Sequence, residues 1–210
     1  MPRLTASQRR ERIIAATIAV ARRKGLAATT VRDVADEMGS SSGLVHHYFG
    51  TMDDVLAEAF AEVAGEDLAR TTRALAGVTE PVDALRGFVE SYARVDANWA
   101  FRLWLDAWAE APRRPAVRAI SQRLNLGWED LLEAIIRRGI AAGAMTASDP
   151  RAAAWTILSI LDGLALQVVA HDAADALDEV VPWAAAAAER ELGLPPGAIR
   201  ARRDGRPPGS

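Results

Sequence analysis

Three histidines, no cysteine and a serine run held between two glycines are the residues with which this chain of 210 residues could do covalent or metal chemistry. Gly39-Ser40-Ser41-Ser42-Gly43 matches the G-x-S-x-G pattern of a nucleophile elbow, where a serine stands on a sharp strand-to-helix turn and is served by a distant histidine and acid. Here the residues on both sides carry helical spacing, so the strand that the elbow needs is missing. His46 and His47 follow closely, but neighbours on a helix point about 100° apart and cannot hold one metal ion without a third ligand. His171 stands alone near a predicted helix end. The absence of cysteine removes disulfides, thiolate zinc sites and cysteine nucleophiles together. An all-α hydrolase would need a nucleophile with an acid-base partner, which histidines so placed do not provide. The residues call for no cofactor and no metal, and they point to a binding protein rather than an enzyme.

The elements that must carry such a protein read as helices from end to end, because no stretch sustains the period-two alternation of a strand. A first helix starts after Thr5, with Gln8 placed for a capping box, and carries Ile13, Thr17, Val20 and Ala21 until Gly25 stops it. Thr30 caps a short second helix, Gly39 ends it, and a third short helix runs to Tyr48. Thr51, with Asp53 and Asp54 in the first turn, opens a long fourth helix. Further helices are predicted from Pro81, from Phe101 to before Pro112, from Pro115 to near Gly143, from Asp149-Pro150 to Val169, and from about Ala174 to Leu192 with Pro182 as a kink. The fold class is all-α, with a three-helix helix-turn-helix over 1–52, a larger helical domain over 53–193, and a Pro- and Arg-rich tail over 194–210 expected to be disordered.

The net charge of −3 conceals a division. Residues 1–50 carry eight basic and four acidic side chains, a net +4, and the remainder carries −7. A local positive segment on an acidic body is the electrostatic footprint of a protein that meets phosphate at one end. No apolar run suited to secretion follows the N-terminus, so a cytoplasmic location is expected.

Two short helices joined by a tight turn need a small residue where they touch, a left-handed residue in the turn and an apolar plug on the second helix. Ala35, Gly39 and Val45 fill those roles. The helix from Ser41 to Tyr48 is then free to lie in a major groove. In Ile13-Ile14-Ala15-Ala16, Gly25-Leu26, Thr30-Val31-Arg32-Asp33-Val34-Ala35, Gly39 through Phe49 and Asp53-Asp54-Val55-Leu56, the sequence resembles the tetracycline-repressor (TetR) family of transcriptional regulators over about residues 7–60. The resemblance implies that Arg32, Ser42, Gly43, Leu44 and His46 face bases, and that Thr30, Ser41, His47, Tyr48 and Thr51 hold phosphates. Where the family usually has lysine, this chain has Met52, which puts one phosphate contact in doubt.

All six tryptophans lie between residues 99 and 183. Phe101, Trp104 and Trp108 share a helical face, and Trp128 lies on the long helix beyond. A packed aromatic core is the plain reading of each. The family keeps a cavity in this region, and the stretches Leu103-Trp104-Leu105 and Leu161-Asp162-Gly163-Leu164 look like its choline-regulator subgroup. The resemblance therefore implies a small-molecule effector site lined by Phe101, Trp104, Trp108 and Trp128, with Tyr92, Asn125 and Glu129 to orient the guest. Tryptophan faces near Asp106 or Glu129 would suit a cation.

Ala152 to Ala170 is nearly apolar, but Asp162 at its centre opposes a membrane span, and a buried or interface helix is expected with no membrane partner. With the alanine run Ala184 to Ala188 it forms, by the resemblance, a homodimer interface through Leu164, Ala184, Ala187 and Ala188. The leading expectation is a homodimeric repressor on a double-stranded palindromic operator, released by a small molecule. The alternative is a constitutive DNA-binding dimer without a ligand.

Overall fold

The computed structural model describes residues 5–91, 97–171 and 177–199. Among them the chain forms nine α-helices and no strand: α1 (Ala6–Lys24), α2 (Val31–Glu37), α3 (Ser42–Tyr48), α4 (Met52–Ala76), α5 (Pro81–Ser91), α6 (Ala97–Glu110), α7 (Pro115–Ala141), α8 (Pro150–Ala170) and α9 (Leu177–Glu191). Two compact units result. One comprises Met1–Ala69 with Asn98–Leu126, the other Arg70–Ala97 with Gly127–Ser210. The first unit thus takes in most of α4, all but the first residue of α6 and the start of α7, and extends well beyond the helix-turn-helix boundary read from the sequence.

The helix starts follow from local chemistry. Thr5 caps α1 through a reciprocal box with Gln8, and Thr30 caps α2 in the same way with Asp33. The Thr51 hydroxyl accepts the Asp54 N–H while Asp54 accepts the Thr51 N–H at 2.9 Å, which starts α4. Asp149 accepts the N–H groups of Arg151 and Ala152, with Pro150 as first residue of α8.

The core of the first unit is the seam of α1, α2, α3 and α4: Ile13, Ile14, Ala16, Val34, Ala35, Val45, Phe49, Val55 and Ala59. Ala35 and Val45 are both buried, as the motif requires. Gly39 has φ +61°, and a Cβ added there would meet nothing within 4 Å. The demand at this turn is for backbone conformation and not for space.

The second unit buries Ala84, Leu85, Phe88 and Val89 of α5, Leu132, Ile135 and Ile136 of α7, and Ala153, Ala154, Ile157, Leu158 and Leu161 of α8. Beyond Gly193 the chain is ordered up to residue 199, contrary to the disorder expected for 194–210. Glu189, itself buried, accepts the N–H groups of Gly197 and Ile199 at 2.9 Å each, and Arg86 donates to the Ala198 carbonyl. Leu194 and Ile199 are buried, so Pro195 and Pro196 shape a packed turn instead of a loose tail. Residues 200–210 lie outside the described part.

Lys24 at 2.7 Å and the two Thr30 donors hold the Asp33 carboxyl down from 3.8 to about 2, the lysine contact having the largest effect. A depressed carboxyl pKa contributes stability above its unfolded value and loses it as pH falls through the folded one. The α2 cap should therefore survive acidification until the window from pH 3.8 down to about 2. Carbon-detected NMR titration of Asp33 reads this directly, and a midpoint near 3.8 would contradict the cap geometry.

Candidate nucleic-acid interface

The helix-turn-helix exposes one polar face. Thr30, Arg32, Ser41, Ser42, Gly43, His46, His47 and Thr51 are exposed, and Leu44 and Tyr48 are half-buried at its margin. The fully buried residue of α3 is Val45, with Tyr48 packed partly against the same core, so the polar side chains of the helix face outward. The Arg32 side chain is 88% exposed and reaches Asp36 only at 3.9 Å, a loose pair that water screens. Its guanidinium is thus extended and able to make a bidentate contact without first breaking a strong internal bond.

The three capping hydroxyls differ in what they already do. Thr30 and Thr51 each bond reciprocally with an aspartate of the following turn. Ser41 caps α3 without any side-chain hydrogen bond. Tyr48 stacks edge-on with His47, ring centroids 5.0 Å apart, which orders both rings at the end of α3. Met52 is half-buried and packs against the helix-turn-helix core, so the position where lysine was expected contributes apolar contact instead. The run Gly39 to Gly43 covers the turn after α2 and the first two residues of α3, and among the described residues no strand precedes Ser41.

Of the residues read as effector-binding, Phe101, Trp104 and Trp108 form one ring cluster in the first unit. Trp104 meets Phe60 edge-on at 4.9 Å and Trp108 at 5.5 Å, and Phe101 meets Trp108 at 6.0 Å. Asn125 is half-buried on α7 in the same unit. Trp128 and Glu129 belong to the second unit, where Trp128 packs edge-on with Phe88 at 5.8 Å. Glu129 is buried and bound by the Arg151 guanidinium at 3.0 Å, so its carboxylate is already occupied. Tyr92 lies outside the described residues.

Asp106 does not complement the ring cluster as a partner for a cation. Its carboxylate turns to the end of α1 and accepts the Leu26 N–H at 2.6 Å. Gly25 takes φ +84° beside it, and a Cβ there would stand 2.9 Å from the Asp106 Oδ2. Seven residues earlier on α6, Trp99 receives the Arg22 guanidinium at 4.7 Å. Trp99 and Asp106 form one stripe of α6 and Phe101, Trp104 and Trp108 another, on nearly opposite sides. Sequence reasoning missed this second face because an aspartate bonding a backbone N–H leaves no pattern to read.

The interface alanines are also redistributed. Ala184 and Ala188 are buried inside the chain's own fold, because that side of α9 packs on α8, and only half-buried Leu164 and Ala187 retain surface. On α8 and α9 the exposed large apolar side chains among the described residues are Trp155, Leu166 and Trp183, at 52%, 40% and 54%, and Leu126 on α7 is exposed as well. A signal was available in the spacing of Trp155, Ser159 and Leu166, which leaves Trp155 off the buried Ile157-Leu158-Leu161 side. By length and composition α8 could cross a membrane.

Two family models match the chain: "Bacterial regulatory proteins, tetR family" over residues 13–59 and "BetI-type transcriptional repressor, C-terminal" over 81–193. An HTH-type transcriptional regulator BetI from Stenotrophomonas maltophilia is 36% identical over 125 residues, which span 55% of this chain and 63% of that protein. Another from Paraburkholderia phytofirmans is 30% identical over 80% of this chain and 85% of its own length. Among solved structures, a TetR transcription regulator from Haloarcula marismortui superposes with TM-score 0.78 at 26% identity, covering 89% of this chain and 99% of that one. A transcriptional regulator from Saccharomonospora viridis, solved in complex with choline, superposes with TM-score 0.80 at 22% identity over 89% and 98%.

Arg32→Ala should relax base preference at one pair per half-site with a loss of ~1–3 kcal/mol, whereas Tyr48→Phe should weaken all duplexes alike. Parallel selections from random duplexes with the two variants check both, since swapped effects would reverse the assignments.

Proposed function

Because the chain belongs to the tetracycline-repressor family of DNA-binding transcriptional regulators, with a C-terminal domain of the BetI type, we propose that it binds a palindromic operator as a homodimer and is released by a small molecule. The observation that carries the DNA-binding half is the exposed polar face of α3 and Arg32, mounted on a fully apolar seam. A bacterial cytoplasmic location follows from this role.

Dimerisation rests on the outer face of α8 and α9. Trp155 and Leu166 share the exposed side of α8, and Trp183 is exposed on α9 near half-buried Ala187, whereas Leu164 falls on the opposite side of α8 from Trp155; large exposed apolar side chains of this kind mark association surfaces. Operator binding by a dimer requires that two copies of α3 reach successive major grooves, ~34–36 Å apart. Trp183→Arg, which sets a charge against its symmetry mate, should convert the protein to a monomer with weak half-site binding. Sedimentation at micromolar concentration checks this, and a variant that remains dimeric would remove Trp183 from the interface.

For the effector, the ring cluster of Phe101, Trp104 and Trp108 is suited to a quaternary ammonium by cation-π attraction, and the choline-bound relative makes choline the probe to try first. A guest seated on that side of α6 acts through a stiff helix on the other side, where Trp99 and Asp106 grip the end of α1. Choline shifts operator binding only by its differential affinity for the two arrangements. The constitutive reading has one observation in its favour: Phe60, Trp104 and Trp108 interlock as a filled core. Fluorescence anisotropy of an operator duplex with choline titrated to millimolar concentration separates the two. Release supports the effector reading, and Asp106→Ala should then keep the choline-induced change in tryptophan fluorescence while losing much of the release. Unchanged operator affinity would favour the constitutive dimer.

A further inference from the structure

A helix of seven residues has few internal hydrogen bonds and is not stable alone, so the direction of α3 is set by what grips its ends. At its C-terminal end the last carbonyls have no partner within the helix, and the dipole leaves them negative. One side chain takes hold there from another element. Arg10, in the second turn of α1, donates from Nη1 to the Tyr48 carbonyl at 2.8 Å. Its Nη2 is paired with Glu58 of α4. The flat face of the guanidinium lies over the Phe49 ring, 4.2 Å from the centroid, and Phe49 is buried in the seam.

We infer that Arg10 is a positioning residue for base recognition: its fork ties α1, the end of α3 and α4 together, and so sets the angle at which Ser42, Leu44 and His46 are presented. The inference deepens the DNA-binding reading of α3 and rests on it. A planar group with two donors and a stacking face imposes three restraints at once. A lysine keeps the positive charge but has neither the fork nor the plane. Glu58 completes the device, because it draws the second nitrogen away from the carbonyl and fixes the plane in between. Arg10 is only 40% exposed and already holds these contacts, so its part in recognition is played through α3.

Arg10→Lys separates geometry from charge. An operator and a scrambled duplex of equal length are compared by anisotropy over a series of salt concentrations, alongside thermal melts. The ratio of operator to scrambled affinity should fall about tenfold while the dependence of log K on log salt keeps its slope. A ratio unchanged with a slope reduced by about one would make Arg10 a direct phosphate contact and overturn the inference. Ratio and slope both unchanged, with only the melting temperature lowered, would make it a structural residue and overturn the inference as well. Should Arg10→Lys fail to fold, Glu58→Gln tests the same device, with a smaller loss of the ratio expected and an unchanged ratio counting against it. The underlying reading fails separately: Arg32→Ala with full operator preference would show that this face does not read bases, whereas selective wild type and equally selective Arg10→Lys would sink only the role of Arg10.

Discussion

The first unit depends on one constraint: a seven-residue helix must be held out from the surface with almost none of its own side chains available to hold it. Val45 is the fully buried residue of α3, Tyr48 packs partly against the seam, and the polar residues of that helix are left exposed. The cost is met by its neighbours. Ala35 brings α2 close, Gly39 reverses the chain at positive φ, and Phe49 enters the seam directly after the helix ends. Capping boxes at Thr5, Thr30 and Thr51 fix the starts of the three surrounding helices, so the frame is rigid although the part it presents is short.

A second consequence concerns α6. A helix with aromatic rings on one side and a carboxylate and tryptophan on the other is poorly described as either core or surface. Asp106 accepts the Leu26 N–H while the Gly25 N–H goes to the Ala21 carbonyl, so replacing Asp106 leaves the Leu26 donor without its acceptor. Farther along the same unit, Glu110 is held below the usual carboxylate range by hydrogen bonds from Arg113 and then Arg114, and Arg114 also reaches Asp53 at the start of α4. Charge pairing thus ties the end of α6 and the start of α7 to the helix that follows the recognition element.

In the second unit the same logic of occupied charges applies to Arg151. It serves Glu129, Asp130 and Glu133 together, and Glu133 is shared with Arg137. The acidic face of α7 is therefore partly offset, by Arg151 from α8 and by Arg137 from α7 itself. The apolar outer side of α8 and α9 is then the feature of this unit that its own packing does not use.

Periodicity, caps and turn chemistry are local, and they were legible in the sequence alone. The all-α class, the capping box at Thr5, the Thr30 cap, the Asp149-Pro150 start of α8, and the Ala35-Gly39-Val45 arrangement all follow from residues within a few positions of one another. The exposed face of α3 follows too, because a helix that spends one apolar residue on docking must turn the others out. Tertiary structure alone decided which partner each long-range polar group takes. Asp106 finds a backbone N–H eighty positions away, Glu129 finds Arg151, and Glu189 orders a turn that its prolines suggested was loose. It also decided which side of an all-apolar helix is left over: Ala184 and Ala188 point inward and Trp155 and Trp183 outward. Where a helix is apolar nearly all round, its sequence carries only a weak phase, here Ser159 between Trp155 and Leu166, and packing against neighbours chooses the face that is buried.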